Sequence, residues 1–266
     1  MNDSLKESNI LFTLKYSKRK TLSIAVLPDL SVLVTAPHNM DLDSIQKKVE
    51  DKRAWINKQL KTFKNTQQII PARKYISGES YPFLGKLYRL KLHKLDTIDS
   101  DSGRRLIKNR TEFHIYSDDL SVEAVKAILE AWYMKQAEKH FSCLLNTAFK
   151  KFLRHYKNSL IEFHAGLSAR EAGLVSLKSI VFPKLRIKKM KTRWGSLSKQ
   201  GLLSLNLELI KLDLEFIEYV IFHELCHLVY FDHSKEFFAL LYKILPNADS
   251  VKYRLDKLGS HLHYLP

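Results

Sequence analysis

The feature that most limits how this chain can fold is a pair of histidines, His223 and His227, set four residues apart inside the apolar run FIEYVIFHELCHLVYF at 216–231. The spacing predicts a helix capped by Asp213, with Phe216, Val220, His223 and His227 on one stripe, so that both rings leave the same face one turn apart. That is about the separation two ligands of one tetrahedral zinc require. Glu224 follows the first histidine directly, and in an H-E-x-x-H arrangement it is not a ligand but a base beside the fourth coordination position. His233, six residues beyond His227 and just past a helix end expected at Phe231-Asp232, is placed to supply a third imidazole. Three neutral imidazoles leave zinc one open site, the mark of a catalytic centre. Ser234 then caps a further helix whose Phe237, Phe238, Leu241 and Ile244 pack inward until Pro246 stops it.

The chain around this segment is of the kind that buries a core. It has 266 residues, 45% of them apolar, which excludes a disordered tail and allows one or two domains. Eight glycines and seven prolines are too few for a collagen-like or linker-rich architecture, and two cysteines cannot make a secreted disulfide framework. Met1 to Ile10 lacks the basic start and apolar core of a secretory signal, and no apolar run approaches the roughly 20 residues that span a bilayer. The expectation is a cytoplasmic protein without membrane contact. Forty-four Lys and Arg against 28 Asp and Glu leave a formal charge of +16. The densest basic cluster is Lys184, Arg186, Lys188, Lys189, Lys191 and Arg193, readable as a nucleic-acid footprint or as a solvated face.

Apolar alternation predicts strands near 9–16, 21–27 and 31–36, then one amphipathic helix from Asp41 to near Asn65 carrying Trp55. Residues 75–81 and 86–93 read as hairpin arms around Phe83-Leu84-Gly85. Residues 96–110 read as a charged loop, 112–116 as a strand, and 122 to about 156 as one long helix or two. Residues 157–180 give no clear pattern. Lys184–Lys188 alternates as a strand, and a hairpin turning near Lys199-Gln200-Gly201 leads into a strand over 202–209, which could align an extended peptide if it lies at a sheet edge. Within the motif, Cys226 points off the ligand face as a buried apolar residue. Trp194 and Gly195 either shape a substrate cleft or form a turn, and Asn206 either braces a loop or is solvated.

These residues resemble the YgjP-like zinc metallopeptidases, relatives of the SprT-like and WLM proteases. The strongest part of the resemblance is Lys191-Thr192-Arg193-Trp194-Gly195-Ser196, Leu205-Asn206, His223-Glu224-Leu225-Cys226-His227 and His233-Ser234 with Phe237 behind. A weaker part is Arg19-Lys20-Thr21, Ala36-Pro37, Trp55-Ile56 and the segment from Gly78-Glu79 to Leu84-Gly85. The spacing to the third histidine is shared with metzincins, but those place Gly where this chain has Tyr230. The resemblance implies an α+β fold with a zincin-like core of mixed or antiparallel sheet plus an active-site helix. It also implies Zn2+ on His223, His227 and His233, Glu224 as catalytic base, and protein or peptide substrates. The family usually has Cys after R-W-G-S; here that position is Leu197.

The expected organisation is an N-terminal strand-rich region with one amphipathic helix over 1–116 and a catalytic domain over 117–266. Arg193, Trp194 and Asn206 are the candidate substrate-binding residues, and Arg193, Tyr219 and Tyr230 the candidate oxyanion stabilisers. The alternative function is a nucleic-acid-binding or protein-interaction module whose zinc site is vestigial or structural.

Overall fold

The computed structural model describes residues 10–27, 30–69, 73–95, 104–164 and 180–262. The chain forms two compact units, Met1–Ala72 with Lys257–Pro266, and Arg73–Asp256. The architecture is α+β with mixed sheets. Among the described residues no helix is long and apolar enough to cross a membrane.

In the first unit β1 (Thr13–Ser17), β2 (Ser23–Val26) and β3 (Val32–Pro37) form a sheet of order β1-β3-β2, with β3 parallel to β1 and antiparallel to β2. Strand alternation puts Val32, Val34 and Ala36 on one buried face. They pack with Ile45 and Val49 of α1 (Leu42–Asp51) and Ile56 of α2 (Arg53–Ile69). Asp41 caps α1 by accepting the Ser44 N–H at 2.7 Å. The single helix expected here is divided at Lys52, whose N–H turns back to the carbonyls of Val49 and Glu50. Neither Gly nor Pro marks that break.

The second unit begins with β4 (Ser80–Phe83), β5 (Lys86–Lys94), β6 (Arg105–Lys108) and β7 (Glu112–Ser117), ordered β4-β5-β7-β6. α3 (Val122–His164) follows as one helix. Its buried residues recur every three or four positions, from Val125, Leu129 and Tyr133 to Phe152 and Tyr156, a continuous apolar stripe. Trp132 meets Phe83 at 4.9 Å and Phe113 at 4.8 Å, and the Tyr133 hydroxyl donates to the Pro82 carbonyl at 2.6 Å. The boundary expected near residue 116 therefore falls inside this unit, because the sheet before it and the helix after it share one core.

A second sheet holds β8 (Lys184–Lys188), β9 (Gly195–Leu197) and β10 (Leu202–Asn206) in the order β8-β10-β9, with β10 parallel to β8 and antiparallel to β9. A 3-10 turn at Leu207–Lys211, then α4 (Leu214–Cys226), α5 (Lys235–Ile244) and α6 (Ala248–Leu262) complete the chain.

Four expectations are corrected. Residues 105–108 form β6 within the expected loop, since pairing with β7 supplies order that four residues cannot signal by periodicity; 96–103 lies outside the described residues. The strand over 202–209 stops at Asn206, whose side chain accepts the Glu208 N–H and starts the 3-10 turn. It is also the central strand, flanked by β8 and β9, so it offers no free edge. The metal-motif helix ends at Cys226, with His227 as its C-cap, rather than at Phe231-Asp232. Residues 157–164 extend α3, 165–179 lies outside the described residues, and α6 was not foreseen.

One contact sets where α4 begins. At the β4–β5 turn the Leu84 N–H donates to Ile210 O at 2.9 Å and the Gly85 N–H to Lys211 O at 3.3 Å. Asp213, at the N-cap of α4, makes no side-chain capping bond there; its carboxyl lies against Gly85 instead. Gly85 has φ +75°, and a Cβ there would fall 1.9 Å from Asp213 Oδ1. Gly85→Ala is expected to destabilise the protein by at least about 1–2 kcal/mol through the left-handed backbone alone. Urea unfolding checks this, and an unchanged midpoint would contradict it.

Candidate metal centre

α4 is buried along most of its length, with Ile217, Ile221 and Leu225 fully enclosed. It carries His223 and Glu224, and its C-cap is His227, still one turn from His223. His233 stands just before α5, whose N-cap Ser234 accepts the Phe237 N–H at 3.4 Å. That cap fixes His233 and turns Phe237 under the site. The Phe237 ring lies 5.0, 4.8 and 4.9 Å from the rings of His223, His227 and His233.

The three imidazoles converge. Their ring centroids are 4.9 to 5.1 Å apart, and one nitrogen from each lies within 4.8 Å of the others. His223 Nε2 and His233 Nε2 face each other at 3.1 Å. His227 Nδ1 lies 2.9 Å from the Tyr230 carbonyl; as its donor it leaves the Nε2 lone pair for a metal. Burial, helped by His227, His233 and Lys252, pushes His223 down to about 4, and His233 is lowered chiefly by burial. Near neutral pH both rings are therefore uncharged donors. The His223–His233 pair, at 3.1 Å, is near the about 3.3 Å edge of a tetrahedral zinc–imidazole set, and all three donor atoms lie within 4.8 Å of one another. The donor set fits a metal ion of zinc's preferences.

Glu224 is 6% exposed, and burial raises its carboxyl to about 7 against the opposing effects of the Leu197 N–H, which it accepts, and the Arg193 charge. Gly195 explains how β9 comes so close. A Cβ there would stand 2.8 Å from both Glu224 Oε1 and Val220 Cγ1. Leu197, at the position where the resembled family usually has Cys, contributes its backbone N–H, which Leu and Cys carry alike.

The candidate substrate residues separate. Asn206 is buried, and its amide donates to the carbonyls of Met190 (2.8 Å) and Arg193 (3.1 Å), while its oxygen accepts the N–H groups of Met190 (3.3 Å) and Glu208 (3.2 Å). It braces the loop before β9 and has no donor left for a ligand. Arg193 is exposed and Trp194 half-buried at the entry to β9. Tyr219 is buried with its phenol pushed up to about 12, and its ring lies 6.0 Å from that of His223; the half-buried Tyr230 phenol is raised too. Cys226 is buried. In the basic cluster Lys184, Arg186 and Lys188 are exposed on β8, whereas Lys189 pairs with Glu130 at 2.6 Å.

Sequence reasoning missed the contact of Phe237 with all three histidines, the packing of Gly195 on Glu224, and the charge of Lys252. Lys252 sits on the unforeseen α6; the other two were visible only as motif residues.

The sequence model of the YgjP-like metallopeptidase domain matches residues 20–164 and 162–258. The chain belongs to the YgjP-like metallopeptidase family. No curated protein matches the sequence. Among solved structures, the metallopeptidase zymogen abylysin of Pyrococcus abyssi aligns over 43% of this YgjP-like chain and 90% of its own, at 21% identity and a TM-score of 0.31.

Replacing Asn206 by Ala leaves two buried carbonyls and two N–H groups short of a partner. It is expected to cost about 1–3 kcal/mol. Denaturant unfolding of the variant measures this, and a loss indistinguishable from zero would contradict the bracing role.

Proposed function

We propose that this YgjP-like chain is a zinc-dependent metallopeptidase in which His223, His227 and His233 hold the metal and Glu224 is the general base. The observation that carries the reading is the convergence of the three imidazoles beside the buried carboxyl of Glu224. When bound, zinc supplies Lewis acidity, which polarises a scissile carbonyl and lowers the pKa of a water toward neutrality.

The chain's own groups do the rest. Glu224 takes the proton of the attacking water and returns it to the leaving amine. Burial suits the carboxyl to both tasks, because a group near neutrality gives and takes a proton with little loss. The Leu197 N–H orients it, and the close approach of Gly195 keeps bulk water away. β9 has one strand neighbour, β10, among the described residues, so an extended peptide can add to its outer edge by main-chain hydrogen bonds. Arg193 and Trp194, at the entry to that strand, would line the cleft. Arg193, whose charge is felt at Glu224, is the favoured oxyanion partner over Tyr219 and Tyr230.

The alternative, a binding module with a vestigial site, is disfavoured by membership of a metallopeptidase family and by the intact set of histidines and Glu224. Two free cysteines accord with a reducing, cytoplasmic setting.

Two substitutions test the reading. Glu224→Gln is expected to lower kcat on a casein or fluorogenic-peptide substrate by about 100-fold or more with zinc retained; hydrolysis at the wild-type rate would contradict it. Gly195→Ala pushes on Glu224 without touching a ligand, so kcat is expected to fall by about 100-fold while metal content holds. An unchanged kcat would show that the contact does not position the base.

A further inference from the structure

Between β2 and the α1–α2 junction lies a cavity of about 590 Å³, and every residue that lines it belongs to the N-terminal unit. Its size is that of a small-ligand site, for which roughly 300–1,000 Å³ is usual. Leu22 and Ile24 from the strand side, with Met40, give it an apolar lining. Lys48 from α1, Lys52 at the junction and Trp55 from α2 line the same space. Trp55 is 43% exposed. Lys20 faces the same space from the start of the strand.

Arg53 is paired with Glu50. Lys20, Lys48 and Lys52 have no ion-pair partner among the described residues, although Asp51 lines the same cavity. An occupant must therefore combine a planar body for the indole and the apolar wall with several negative charges for the ammonium groups. A fatty acid has neither the plane nor the charge count. A glutamate-rich peptide has the charge without the plane.

We propose that this cavity binds a nucleotide, its base against Trp55 and its phosphates at Lys20, Lys48 and Lys52. Base stacking on an exposed aromatic ring flanked by cations is a recurrent way of holding such ligands. Asp51 from the helix side and the Thr21 hydroxyl from the strand side offer partners to a sugar hydroxyl or a ring amine. A free nucleotide and a nucleotide within a single strand present the same chemistry. The proposal stands apart from the peptidase site and does not need it to be active.

Calorimetric titration of the full chain with ATP, a short oligothymidylate, tripolyphosphate and a glutamate-rich peptide tests it. ATP or the oligonucleotide is expected to bind more tightly than either baseless probe; binding of ATP assigns a free nucleotide, and binding of the oligonucleotide alone assigns a strand. Trp55→Ala is expected to weaken binding about tenfold or more, as loss of a stacking partner does. A Lys48→Glu, Lys52→Glu double variant is expected to weaken it similarly and to flatten its salt dependence. Both variants should keep the wild-type circular dichroism, since the three side chains are exposed. Tripolyphosphate or the peptide binding as tightly as ATP and the oligonucleotide, unchanged affinity in Trp55→Ala, or no binding of any probe would overturn the proposal.

Discussion

Carrying a carboxyl into an apolar interior is costly unless it finds a partner, and the surroundings of Glu224 are organised by that requirement. The Glu224 carboxyl takes the Leu197 N–H, and His227 turns its Nδ1 to the Tyr230 carbonyl. These partners are backbone atoms, so they exist only where the chain is held in place. For β9 the holding is done by Asn206, which ties the carbonyls of Met190 and Arg193 while its own N–H reaches the Trp194 carbonyl at 2.8 Å. The order of dependence runs from a buried amide, through a three-residue strand, to the carboxyl.

Two absences of side chain serve the same end. At Gly195 a Cβ would press on Glu224 and Val220, and at Gly85 a Cβ would displace the Asp213 carboxyl at the start of α4. The second contact sets the height of the helix and the first sets the distance of the sheet. Phe237 closes the site from the opposite element, touching all three histidine rings. Its place follows from the Ser234 cap, so α5 and the residue just before that cap, His233, together back the set and supply a donor.

What could be read in the sequence was whatever local spacing determines. Histidines four apart on a helix share a face whatever the fold, and Ser234 announces its helix by chemistry that acts within one turn. The long stripe of α3 was legible for the same reason. Features that depend on distant partners were not. β6 is a strand because β7 is beside it, and the position of β10 in the middle of its sheet follows from β8 pairing across a segment of the chain. Asn206 looks like any strand asparagine until the loop it braces is seen to fold over it. The break at Lys52 carries no Gly or Pro; α6 does carry a local stripe, Ala248, Val251 and Leu255, but the charge that Lys252 brings near His223 depends on where that helix packs.

The positive balance of the sequence resolves into surfaces of different character. Lys184, Arg186 and Lys188 project together from an edge strand, while the lysines around Trp55 line a cavity with an apolar wall. Elemental analysis of the purified protein beside a His223→Ala, His227→Ala double variant is the most direct test of whether the three histidines form a zinc site. One zinc per chain is expected in the wild type and none in the variant. A wild-type protein that holds no metal after reconstitution, or a double variant that keeps it, would contradict the account.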